Sequence, residues 1–133
     1  MGKYVYPVIL TSEEGGFLAD FPDIESCYTQ GDNLADALEM AKDVLSLRLC
    51  AYENDKKSIP QASLKQEFIL NENQIISLVS ADTMEYRKMW DNKSVKKTLT
   101  IPAWLNTIAE KNEINFSAIL QKALKDELEL FDN

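Results

Sequence analysis

The stretch SVKKTLTIPAWL, residues 94–105, constrains the fold of this 133-residue chain more than any other. Side chains of a strand alternate between its faces, so Val95, Leu99 and Ile101 share one side and Lys96, Thr98 and Thr100 the other. Lys97 breaks the apolar parity near the strand's start, where its long stem can carry the charge outward. Pro102 ends the strand and suits the first position of a helix, with Leu105, Ile108 and Ala109 turned inward. After the turn EINF, Asn115 can cap a last helix whose inward residues are Ile119, Leu120, Ala123, Leu124 and Leu128. One strand and two helices in residues 95–133 lack a partner strand, and units under about 40 residues usually need a second copy or a staple. Two copies solve both problems. Their strands pair antiparallel into a ribbon, and four helices close a shared core around Val95, Leu99, Ile101, Leu105, Ile119, Leu120 and Leu124.

The ribbon's outer face then carries Lys96, Thr98 and Thr100 from each copy. A two-stranded ribbon fits the DNA major groove, where threonine bonds base edges and lysine meets guanine or phosphate. The N-terminus of the last helix, at Asn115 to Ser117, suits a phosphate. A dimerisation module without a DNA role remains the alternative, because threonine-rich strand faces are common.

Charge divides the chain. Residues 1–86 hold 6 Lys/Arg against 15 Asp/Glu, and residues 87–133 hold 8 against 7, within a formal net charge of -8. RKMWDNKSVKK (87–97) has five basic residues, among them Lys93 and Lys97, and one acid. Such segregation points to two different partners, one of them polyanionic.

The first part reads as a β-β-α-β-β unit over residues 1–81, so the whole chain is α+β. KYVYPVILT and FLADF form a hairpin around SEEGG, and PDIESCYTQGD follows as an irregular or extended segment. Asn33 is an N-cap with Asp36 at the third helical position, and Leu34, Leu38, Ala41, Leu45, Leu49 and Tyr52 make the apolar stripe of a helix of about five turns. KQEFILN and QIISLVS are read as the last two strands. Residues 82–94 form a linker with a short helix capped by Asp82.

Histidine is absent, which removes the usual general base and the commonest metal ligand. Cys27 and Cys50 cannot close a four-ligand zinc site and are expected as free, partly buried thiols. The first strand holds no acid, and Asp20, Asp23 and Glu39 do not converge as a two-metal nuclease site requires. No cofactor, metal or catalytic residue is expected. No apolar run nears the roughly 18 residues of a membrane span, and MGKYVYPVIL reads as a strand, so a cytoplasmic location is expected.

VKKTLTIP and NFSAILQKAL resemble the ribbon-helix-helix DNA-binding family. The resemblance implies that Lys96, Thr98 and Thr100 read bases, with Asn115 and Ser117 holding a phosphate and Lys93 and Lys97 close by. No arginine stands on the strand face, which leaves the target sequence open. YPVIL and GGFLADFPDIESCYTQGDNLADALEMAKDVL are similar to the HicB-type antitoxin fold, a partial RNase H-like sheet often joined to such a C-terminal domain. That resemblance implies a protein that silences a small, basic, mRNA-cleaving HicA-type toxin and represses its own operon. Asp20, Asp23 and Glu25, on the turn after the second strand, are the expected part of the toxin contact. A regulator whose first unit senses a small ligand and a residual nuclease are the other readings.

Overall fold

The computed structural model describes residues 2–64 and 68–130 and divides the chain into two compact units, Met1–Lys93 and Ser94–Asn133. In the first, β1 (Lys3–Glu13), β2 (Gly16–Asp20), β3 (Tyr28–Gly31) and β4 (Gln74–Asp82) form one antiparallel sheet in the order β3-β2-β1-β4. The helix α1 (Leu34–Asn54) connects the two edge strands across one face. Tyr6, Val8 and Leu10 of β1, Ala19 of β2 and Val79 and Ala81 of β4 meet Ala37, Ala41, Leu45 and Leu49 of α1 in a buried core. Alternation explains the choice: each of these strand residues lies two positions from its neighbour on the same face.

Two strand assignments differ from the sequence reading, making the unit β-β-β-α-β. Tyr28–Gly31, read as part of an irregular or extended segment, is β3, paired with β2 from Phe17↔Gly31 to Asp20↔Tyr28. Its sequence YTQG has no apolar alternation, so β2 supplies what the local pattern does not. The described part of KQEFILN lacks the expected strand. Phe68–Asn71 form none, and residues 65–67 lie outside the described residues. β4 occupies the whole edge of β1, from Lys3↔Asp82 to Thr11↔Gln74. Pro7 is tolerated in this central strand because the β2 ladder begins only at Ile9, so no β2 residue is paired with it.

The helix starts follow local chemistry. Asn33 Oδ1 accepts from the Asp36 N–H at 2.9 Å, while the Asp36 carboxylate accepts from the Asp32 N–H at 2.8 Å. α2 (Thr83–Trp90) is capped by Asp82, whose Oδ1 accepts from Met84 and Glu85 N–H groups at 3.0 and 3.2 Å. α2 belongs to the first compact unit. Cys27 and Cys50 are free and buried, as expected, and burial pushes the Cys27 thiol up to about 11.

Glu53, near the C-terminus of α1, ties that helix to β1 and α2. Its Oε2 accepts from Tyr4 Oη and Thr83 Oγ1 at 2.9 Å each, and its Oε1 from Arg87 Nη2 at 3.1 Å. Burial alone would raise this carboxyl, but the bonds from Tyr4, Thr83 and Arg87 outweigh it and hold it below its ordinary value. A depressed folded value means that the stabilisation is complete above the unfolded carboxyl's range and disappears as pH falls through the folded value. Glu53→Gln should therefore cost about 2–3 kcal/mol at pH 7, the worth of charge-assisted bonds around a partly buried guanidinium. The gap from wild type should shrink towards pH 3. Urea unfolding at both pH values checks this, and an equal gap at the two would contradict it.

The second unit contains α3 (Ala103–Lys111) and α4 (Phe116–Glu127). Pro102 stands at the N-cap of α3, one position before the expected one, and its carbonyl accepts from the Leu105 and Asn106 N–H groups. Asn115 caps α4 as expected, its Oδ1 accepting from Ala118 N–H at 3.1 Å. Residues 94–102 carry no strand, since strand pairing requires a partner and none is present among the described residues of the chain.

Candidate functional site

The second unit buries none of its described side chains. Val95 is 83% exposed and Ile101 47%, and Leu99, Leu105, Ile119 and Leu124 are exposed as well, with Leu120 half-buried. So many apolar side chains in water on so short a unit mark a surface built to be covered. Lys93, Lys96, Lys97, Thr98 and Thr100 are all exposed. Asn115 and Ser117 come together at the start of α4, in a shallow hollow of about 340 Å³ that Lys122 and Lys125 also line. Sequence reasoning missed these two lysines. Their signal was spacing: Ala118, Lys122 and Lys125 recur at four and three residues, the period of one helix face.

In the first unit the three acids expected at the toxin contact have different roles. The Asp23 carboxylate is engaged within the fold, accepting from Ser63 N–H at 2.9 Å and Ser63 Oγ at 2.5 Å. Glu25 is exposed, and its backbone carbonyl accepts from Arg48 Nη2 at 3.1 Å. Asp20 ends β2 opposite Tyr28, on the sheet face away from α1, and partial burial raises its carboxyl. Among the described residues, no three Cys, Asp or Glu side chains cluster as metal ligands would. No described helix is long and apolar enough to cross a membrane.

A second feature of this unit lies between α1 and α2. Met40, Val44 and Leu47, at i, i+4 and i+7, form an apolar stripe on α1 outside its buried face. With Tyr86 and Trp90 of α2, Thr29 and Asp43 they line a groove of about 340 Å³. The two aromatic rings are tilted by 42° with centroids 6.5 Å apart, within the range of favourable aromatic pairs. Trp90 is 67% exposed and Leu47 54%. Burial and then the nearby Asp43 carboxylate raise the Tyr86 phenol. Sequence reading missed this groove because it followed only the core-facing stripe of α1.

Residues 5–79 match the family model for the HicB-like antitoxin of bacterial toxin–antitoxin systems. The chain is 48% identical over 56 residues to antitoxin HicB 1 of Photorhabdus laumondii, covering 41% of this chain and 36% of that protein. It is 44% identical over 59 residues to antitoxin HicB of Escherichia coli, covering 44% and 43% respectively. The chain thus matches less than half the length of these two relatives. Among solved structures, a chain of a toxin–antitoxin complex from Streptococcus pneumoniae is similar with a TM-score of 0.58 and 26% identity, over 94% of this chain and 99% of that one. The family match takes in the whole sheet except its outermost residues, together with all of α1, and spans more than half the sequence; this chain belongs to the HicB-like antitoxin family.

Proposed function

We propose that this protein is a cytoplasmic, non-enzymatic antitoxin. Its first unit neutralises a small, basic, mRNA-cleaving toxin of the HicA kind, and its second binds operator DNA as a dimer to repress the operon. The observation that carries the reading is the family match over residues 5–79, coincident with the acidic part of the chain. Excess negative charge speeds association with a cationic RNA-binding partner and occupies the surface that RNA would use. The sheet order β3-β2-β1-β4, with α1 crossing between its edges, supports a partial RNase H-like architecture. The unburied second unit supports a ribbon-helix-helix dimer, in which Val95, Leu99 and Ile101 face the shared core and Lys96, Thr98 and Thr100 face DNA. Asn115 and Ser117 would hold a backbone phosphate, with Lys93 and Lys97 adding charge.

Co-purification with the product of the adjacent gene tests the antitoxin role; a basic partner that stays bound supports it, and no association overturns it. Gel-shift titration tests the DNA face. Thr98→Ala and Thr100→Ala should leave the dimer intact and each cost about 1–3 kcal/mol in discrimination between operator and random DNA. Lys96→Ala should weaken both kinds of DNA alike and flatten the salt dependence by roughly one counterion per site. Operator binding as tight as wild type in both threonine variants would leave a module for dimerisation alone.

A further inference from the structure

We propose that the groove between α1 and α2 is the docking site for the toxin, receiving an apolar side chain flanked by lysine or arginine on the partner. This rests on the antitoxin reading and specifies which surface performs it. The groove joins Tyr86 and Trp90 to Met40, Val44 and Leu47, with Asp43 at its wall. Exposed tryptophan and tyrosine beside aliphatic side chains are the residues that dominate binding energy once covered.

The surrounding charge selects the occupant. Asp43 also lines a second hollow beyond Tyr86 and Trp90, where Asp82 and Glu85 join it against a single base, Lys42. On α1, Glu39 is exposed and Asp36 half-buried, and residues 1–86 hold 15 acids against 6 bases. Such a rim repels nucleic acid and anionic lipid, and it disfavours a second copy of the same acidic unit. It attracts a cationic protein.

The groove is also held in place before binding. Arg87, on the turn between Tyr86 and Trp90, reaches Glu53 at 3.1 Å and the Cys50 carbonyl at 3.3 Å. The Asp82 cap fixes the start of the same helix. A surface that needs no ordering loses less entropy on binding, so its few apolar contacts count for more.

The test uses the full-length protein and a catalytically inactive form of the adjacent-gene toxin, with affinity measured by calorimetry. Trp90→Ala should weaken binding about thirty-fold or more, and Leu47→Lys more still, since it adds a positive charge facing a cationic partner. Melting temperature and operator gel shift should match wild type in both. The comparison pair Asp20→Asn and Glu25→Gln should change affinity by less than about three-fold, the effect of exposed charges. In a Trp104→Phe background, toxin should shift Trp90 emission to the blue and shield it from acrylamide. If wild type binds toxin while Trp90→Ala and Leu47→Lys bind within about two-fold of it, the groove is not the site, although the antitoxin reading stands. Trp90 already shielded in the protein without toxin would equally overturn the proposal, because something else would then occupy the groove. If wild type itself fails to bind the toxin, the antitoxin reading fails and the docking proposal falls with it.

Discussion

Ile101→Asp should turn the protein into a monomer and abolish its operator gel shift. None of the described side chains of the second unit is buried, so nothing within it holds residues 94–102 and the two helices together. Covering apolar side chains such as Leu99, Ile101 and Leu105 contributes about 1.5–3 kcal/mol each, and pairing two copies counts each one twice. An aspartate in that shared core loses the apolar contribution and brings a charge into a place without water. Such a charge costs several kcal/mol when nothing pairs with it. The expected fall in operator affinity exceeds about a hundred-fold, since one strand alone makes no ribbon and reads half a site at most. Sedimentation at micromolar concentration and gel shift measure the two effects. Toxin binding by the first unit should be unchanged. A variant that still sediments as a dimer, or a wild type that sediments as a monomer, would refute the proposed assembly.

Features governed by neighbouring side chains were legible in the sequence. Asn33, Asp82 and Asn115 cap the helices assigned to them, because a short polar side chain bonding the next turn's N–H groups is chemistry within four residues. The hairpin of β1 and β2 and the buried stripe of α1 followed from periodicity alone. β3 was not legible because its four polar residues are strand only by pairing with β2. KQEFILN misled for the opposite reason: Phe68, Ile69 and Leu70 are strand-like, yet β4 takes the edge of β1. The groove illustrates the same limit. Met40, Val44 and Leu47 have helical spacing, but only the approach of α2 gives their stripe an aromatic wall. Asp23 was expected at the toxin contact from its place on the turn after the second strand, and its bonds to Ser63 belong to loop contacts no local pattern encodes.

Gly31→Ala should strongly destabilise the first unit. A Cβ there would stand 2.3 Å from the Ala37 nitrogen and 2.6 Å from its Cα. Both are backbone atoms of the first turn of α1, so no side-chain rotation relieves the clash. Gly16 packs against the same place, and its own added Cβ would lie 2.2 Å from the Gly31 carbonyl oxygen. The hairpin, β3 and α1 therefore meet backbone to backbone. The alanines on the sheet-facing stripe, Ala37 and Ala41, are fully buried, in keeping with that close approach. A methyl group at Gly31 must push α1 off the sheet and open the core behind Ala37. Overpacking against backbone belongs at the upper end of single-substitution costs, about 3–5 kcal/mol. That is a large share of the stability of a domain, and it should lower Tm by at least about 12 °C. Gly15→Ala provides the comparison. Its φ of +89° strains an alanine, yet nothing lies within 4 Å of the added Cβ, so the cost should stay near 1–2 kcal/mol. Thermal unfolding followed by circular dichroism separates the two. Because α1 carries Met40, Val44 and Leu47, Gly31→Ala should also weaken toxin binding, whereas Gly15→Ala should not. A Gly31→Ala protein melting within about 3 °C of wild type would show that α1 can shift without cost, and the close packing of these three segments would not set the position of the groove.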